Sequence, residues 1–146
     1  MQALTILVVE DHEDCARAME RLLQREGHRV TTAMGFADAL TSAARLGPLD
    51  VLVSDIALPD GDGCELLRLL KERNSGAPGH AIALTGHAES HWIEECRRAG
   101  FQRFLLKPVV FEELLAAVRV RTAEVTPALG GVPSPDAPTP REARAT

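Results

Sequence analysis

The chain has 146 residues, 45% hydrophobic and 25% charged, proportions of one globular domain rather than of a disordered, fibrous or multi-domain chain. Sixteen Lys and Arg stand against 21 Asp and Glu, and the net charge of -5 argues against a sequence-independent grip on nucleic-acid phosphates. No basic segment precedes the first apolar run, and no run is long enough to cross a bilayer, so neither a leader peptide nor a membrane span is expected.

Residues 4–9 (LTILVV) are apolar but for Thr5 and read as a strand buried on both faces. Cys15, Met19, Leu22 and Leu23 then recur with helical period, and Gly27 stands where a left-handed cap ends that helix. A second strand, 28–33, is followed by a helix marked by Phe36, Ala39, Leu40 and Ala43, which ends near Gly47-Pro48. The third pair is 50–54 with a helix through Leu66, Leu67 and Leu70, ending near Asn74-Ser75-Gly76. The fourth is 81–85 with a helix carrying Ile93 and Cys96 and stopping at Gly100, and the fifth is 101–106 with a stripe of Phe111, Leu114, Leu115 and Val118. Five strand–helix alternations predict an α/β fold, a doubly wound five-stranded parallel sheet with helices on both faces, over residues 1–124. Residues 125–146 are expected to be a Pro-rich disordered tail or linker remnant, because 126–146 hold five Pro, two Gly and few large apolar groups. Cys15, Cys64 and Cys96 are widely spaced, without a CxxC pair and odd in number, which predicts reduced thiols and a cytoplasmic location.

In an open parallel sheet, ligands gather beyond the carboxyl ends of the strands. Strand one runs into Glu10 and Asp11, strand three into Asp55, strand four ends on Thr85, and strand five runs into Lys107-Pro108. Right-handed crossovers would set strands one and three side by side, bringing Glu10, Asp11 and Asp55 into one pocket. Carboxylates that close repel unless a cation balances them, and an all-oxygen set without His or Cys favours magnesium, with manganese fitting the same donors and zinc disfavoured. Asp14 suits the start of the first helix as a dipole partner instead. Only Lys71 and Lys107 of the 16 basic residues are Lys, so a compact ammonium is kept at Lys107 in an otherwise Arg-rich chain. An ammonium and the Thr85 hydroxyl beside an acidic metal pocket suit phosphoryl transfer, which needs charge neutralisation more than covalent machinery.

These segments resemble the receiver domains of two-component response regulators. VVEDHED carries the paired acids, VLVSDIALPDGDG the phosphoacceptor strand with Pro59, Asp62 and Gly63 after it, ALTGHA the hydroxyl strand end, and FLLKP the lysine, over about residues 4–122. The resemblance implies a flavodoxin-like sheet of order 2-1-3-4-5. It implies that Asp55 accepts a phosphoryl group from the phosphohistidine of a histidine kinase or phosphotransfer protein, and that Glu10, Asp11, Asp55 and the Ala57 backbone carbonyl hold Mg2+. It further implies that Thr85 and Lys107 contact the phosphoryl oxygens, that Thr85 moves toward them and Phe104 turns inward, and that the face of helix four, strand five and helix five then meets a downstream protein or a second copy. A cis Lys107–Pro108 bond belongs to the same pattern. The resemblance thus implies a signalling domain rather than a turnover enzyme.

Glu10 replaces the more usual Asp, a longer reach that suits a metal contact through water. The resemblance also implies that Ala57 and His87 stand where water access to an acyl phosphate is controlled, and that Gly86 leaves the phosphoryl group room. A haloacid-dehalogenase phosphatase is excluded because Ala57 stands where its second Asp belongs, and an EF-hand from Asp60 fails at Glu65 and Lys71. His87 and His91 share a helical spacing but lack a third ligand. The alternative function is an unphosphorylated receiver-like scaffold acting through protein–protein contacts, with Trp92 either an anchor for the partner or half-buried packing of the fourth helix. With no output domain after Val120, signalling is expected to end in a binding event, from a stand-alone receiver or from the receiver part of a hybrid kinase; Met1 just before strand one favours the former.

Overall fold

The computed structural model describes residues 3–73, 77–86 and 90–123, with the backbone alone for 90–92 and 121–123. Strand β1 (Thr5–Val9) is followed by α1 (Glu13–Arg25), β2 (Arg29–Ala33), α2 (Phe36–Leu46), β3 (Val51–Asp55), α3 (Gly63–Arg73), β4 (His80–Thr85), α4 (Ser90–Ala99), β5 (Arg103–Leu106) and α5 (Phe111–Ala123). The five strands form one parallel sheet in the order β2-β1-β3-β4-β5, as the resemblance implied. Two further strands of two residues each, Ala57–Leu58 and Gly61–Asp62, pair antiparallel between β3 and α3, and the sequence reading did not anticipate them.

Alternating side chains of the central strands feed two cores, one on each face, which is why Ile6–Val9 of β1 and Val51–Val53 of β3 are apolar without interruption. Leu7, Val9, Leu52, Ala81 and Ala83 pack with Ala39, Ala43, Leu66, Leu67, Leu70 and Cys96, the inward faces of α2, α3 and α4. Ile6, Val8, Val51, Val53, Ile82 and Leu84 pack with Met19, Leu23, Leu114, Ala117 and Val118, the inward faces of α1 and α5. This places α2–α4 on one side and α1 with α5 on the other. Gly27 (φ 96°), Gly47 (φ 78°) and Gly100 (φ 124°) follow α1, α2 and α4 in the left-handed region, where a side chain would be strained.

Three expectations are corrected. In α1 Met19 and Leu23 are buried and Leu22 packs against the same core, as expected, but Cys15 is exposed and the small Ala16 beside it is buried instead. In α5 Leu114 and Val118 are buried and Leu115 packs against the same core, as expected, but Phe111 is 43% exposed and Ala117 joins the buried set. The expectation of three reduced, unpaired thiols also fails. Cys64 and Cys96, 32 residues apart, are joined as a disulfide with Cα atoms 5.2 Å apart, because each faces inward on neighbouring helices α3 and α4. The expected tail, 125–146, lies outside the described residues, as do His87 and the predicted end of the third helix at Asn74-Ser75-Gly76.

Candidate functional site

Register brings the polar strand ends together. Val9 pairs with Ser54, Asp55 with Leu84, and Thr85 with Leu106, so Glu10, Asp55, Thr85 and Lys107 emerge along one edge of the sheet. The Lys107 amide donates to the Thr85 carbonyl (2.8 Å), which fixes the lysine one step beyond β5. Gly63 then folds the chain back over β3: its amide donates to the Ile56 carbonyl (2.7 Å), and a Cβ there would collide with the Asp55 carbonyl oxygen. Asp62 caps α3 by accepting the Glu65 amide (2.7 Å), and Asp60 accepts the Phe36 and Ala37 amides (2.7 and 3.1 Å) at the start of α2. Those two amides hold the Asp60 carboxyl below its ordinary pKa, against a slight opposing effect of burial.

Glu10 is wholly buried and Asp55 is 2% exposed, whereas Asp11 is exposed. The Lys107 ammonium lies 3.0 Å from Glu10 Oε1 and 2.7 Å from Asp55 Oδ1 and holds the two carboxyls in one pocket. Glu10 Oε2 accepts the His12 amide (2.9 Å). Burial pushes the Asp55 carboxyl up from 3.8 to about 7, with the Glu10 charge adding to the rise and Lys107 opposing it. Burial acts the same way on Glu10, but the His12 amide and Lys107 outweigh it and leave its pKa lowered. For Lys107 burial disfavours the ammonium, and the two carboxyls more than compensate, raising its pKa.

One oxygen from each of Glu10, Asp11 and Asp55 lies within 4.8 Å of the others, so the three acids expected to converge do converge. Asp55 Oδ2 is buried with no hydrogen-bond partner among the described residues. An orphaned carboxylate oxygen inside an all-oxygen cluster is the donor set of a hard divalent cation, and the cluster fits one. A cleft of about 590 Å³ opens onto these residues, lined by Asp11, Asp55, Ala57, Thr85, Gly86 and Lys107. A Cβ on Gly86 would meet nothing within 4 Å, so this side of the cleft is open. The Lys107–Pro108 peptide is cis, as the resemblance implied.

Phe104, on β5, is half-buried against the core beneath α2–α4, 6.5 Å from Phe101 between ring centroids. The Arg97 guanidinium of α4 lies 5.5 Å from its ring centroid, a cation–π contact that the sequence reading missed. The Asp60 cap was missed too, since the aspartate and the amides it serves are 23 and 24 residues apart. The side chains of Trp92 and His91 lie outside the described residues. Among the described residues no helix is long and apolar enough to cross a membrane.

A family model of the response regulator receiver domain matches residues 6–119. The chain is 38% identical over 116 residues to an uncharacterized 14.6 kDa protein encoded in the sodA1 3' region of Leptolyngbya boryana, covering 80% of this chain and 88% of that one. It is 33% identical to the probable transcriptional regulatory protein TcrX of Mycobacterium tuberculosis over 81% of this chain and 49% of TcrX. It is 29% identical to the sensory/regulatory protein RpfC of Xanthomonas campestris over 79% of this chain and 16% of RpfC, so it spans only part of these two larger proteins. Among solved structures, a CheY-like receiver domain protein from Methanospirillum hungatei superposes with a TM-score of 0.76 at 26% identity, covering 84% of this chain and 96% of that one. The BeF3-activated DrrB receiver domain gives 0.73 at 28%, covering 84% and 99%.

Proposed function

The chain belongs to the response regulator receiver domain family, and on that footing we propose that Asp55 accepts a phosphoryl group from the phosphohistidine of a histidine kinase or phosphotransfer protein. An Asp55 carboxylate oxygen attacks phosphorus in line, the phosphorus–nitrogen bond breaks as the phosphorus–oxygen bond forms, and the departing imidazole regains its electron pair. The observation that carries this reading is the buried Asp55 with one oxygen on Lys107 and the other without a partner, facing an open cleft.

Glu10, Asp11, Asp55 and the Ala57 carbonyl are the ligands proposed for Mg2+, with Mn2+ suited to the same donors; the bound cation neutralises charge on the carboxylates and the incoming phosphoryl oxygens. Glu10 has both oxygens engaged, by Lys107 and by the His12 amide, which supports contact through water rather than direct ligation. Lys107 stands within reach of an oxygen on phosphorylated Asp55 and supplies the fixed positive charge there. Thr85, across the cleft, supplies the second contact, and its movement toward the phosphoryl group draws on the loop into α4, with Phe104 following from its half-buried position. The face of α4, β5 and α5 then changes its affinity for a downstream protein or a second copy. The domain acts as a signalling module in the cytoplasm, either alone or within a hybrid kinase or larger regulator.

Incubation with magnesium and acetyl phosphate, followed by intact mass, tests this. The wild type should gain one phosphoryl group only with magnesium present, and Asp55→Asn should gain none. Equal masses with and without the donor would support the unphosphorylated scaffold instead.

A further inference from the structure

The disulfide between Cys64 and Cys96 lies at a junction that matters to the site. Cys64 is the second residue of α3, directly after Gly63, whose backbone is pressed against the Asp55 carbonyl. Cys96 is on α4, the helix that follows Thr85 and Gly86, and its neighbour Arg97 covers the Phe104 ring. The 64–96 bond therefore closes a loop that contains β4 and Thr85, and it links the element leaving Asp55 to the element leaving Thr85. Further along the same face of α3, Arg68 reaches Glu95 at 3.5 Å and Lys71 packs against Gly100. The Arg68–Glu95 pair is between side chains 41% and 56% exposed, and ion pairs of that kind contribute little. The covalent bond is thus the strongest tie between α3 and α4.

Both cysteines are almost fully buried, at 1% and 0% exposure, within the same apolar cluster as Leu66, Leu67 and Phe101. A buried thiol packs as a small apolar group, so this cluster accommodates two thiols as well as one disulfide. Neither redox state is excluded by the fold.

We propose that Cys64 and Cys96 are a reversible thiol–disulfide couple whose oxidation fastens α4 to α3 and whose reduction releases it. The oxidant is a low-molecular-weight disulfide of the glutathione class. One cysteine thiolate attacks it, forming a mixed disulfide and releasing one small thiol; the other cysteine then displaces the second small thiol, so two protein thiols are oxidised as one disulfide is reduced. Because the sulfurs are buried, exchange proceeds through local opening of the α3–α4 contact and is slow. Cys15, exposed on α1, takes no part. The consequence for signalling rests on the phosphoacceptor reading above: with α4 fastened, the Thr85 loop and Arg97 follow phosphorylation of Asp55 less far.

The full chain carrying Cys15→Ser, which removes the exposed thiol that would itself exchange with glutathione, is equilibrated in glutathione buffers from reducing to oxidising, quenched in acid, unfolded and alkylated, and its mass counts the free thiols. Two adducts should give way to none as the buffer becomes oxidising and return on reduction, with a Cys64–Cys96 linked peptide in the digest. Amide exchange across 90–99 should slow on oxidation. Two adducts in every buffer, no adduct in every buffer, or exchange of α4 unchanged between the two states would each overturn the proposal. Acetyl phosphate with magnesium then separates the two readings. Equal phosphoryl mass gain in both states with the Trp92 emission change largely lost on oxidation is expected, and an equal emission change in both overturns the signalling consequence. A missing mass gain in both states defeats the phosphoacceptor reading and that consequence with it, leaving the thiol couple to the adduct count and exchange.

Discussion

Lys107 lies within 3.0 Å of Glu10 and 2.7 Å of Asp55, so removing its charge leaves two buried carboxyls without their cation. Lys107→Met is expected to lower stability at pH 8 without magnesium by about 1–3 kcal/mol, measured by urea unfolding. Asp55→Asn should act in the opposite direction in that buffer. The Asp55 carboxyl is raised from 3.8 to about 7 in the folded chain, so the folded state holds the proton longer than the unfolded state does. Its contribution to stability is complete below pH 3.8 and is lost as pH rises through about 7, so metal-free Asp55→Asn should exceed the wild type at pH 8, by about 1–3 kcal/mol, and match it at low pH. A cation that binds the carboxylate must displace that proton. Magnesium affinity, followed by titration calorimetry, should therefore climb toward about tenfold per pH unit below 7 and level off above it. The acids, Thr85 and Lys107 were legible because each directly ends or follows an apolar run. Asp60 and Arg97 were not, because their partners come from other elements and a charged side chain in a loop or on a helix looks solvated in sequence.

At the scale of elements, helix periodicity located all five helices and most of the core-facing residues of α1 and α5, but misplaced one residue on each, Cys15 and Phe111. A sequence pattern weighs Cys15 and Phe111 as strong apolar signals and Ala16 and Ala117 as weak ones, whereas close helix–sheet packing selects the small residue. Ala16→Leu is accordingly expected to cost about 1–3 kcal/mol through overpacking, and Cys15→Leu to stay within about 0.5 kcal/mol of the wild type, both by urea unfolding. Gly63 shows a different limit of sequence reading: Asp62-Gly63 looks like a turn, yet the reason for the glycine is the Asp55 carbonyl lying where its Cβ would be. Gly63→Ala should reduce both stability and phosphoryl gain, since relief of that contact must move the backbone beneath the phosphoacceptor.

Across the whole molecule, the alternation of strands and helices pointed to a five-stranded parallel sheet and the family resemblance implied its order, whereas the division of β1, β3 and β4 side chains between two cores was read from the structure. The Cys64–Cys96 pairing was not legible in the sequence either, because a separation of 32 residues carries no distance information until α3 and α4 are set side by side. Magnesium should stabilise the folded chain by mass action, about 2.7 kcal/mol at a hundred times its dissociation constant, and much less in Asp55→Asn. The most direct test is to phosphorylate the chain with acetyl phosphate and magnesium, reduce the acyl phosphate with borohydride, and sequence the peptides for the residue converted to homoserine. The account predicts homoserine at position 55 and nowhere else; conversion at Asp11, or recovery of an unaltered Asp55 from a chain that had gained phosphate, would contradict it.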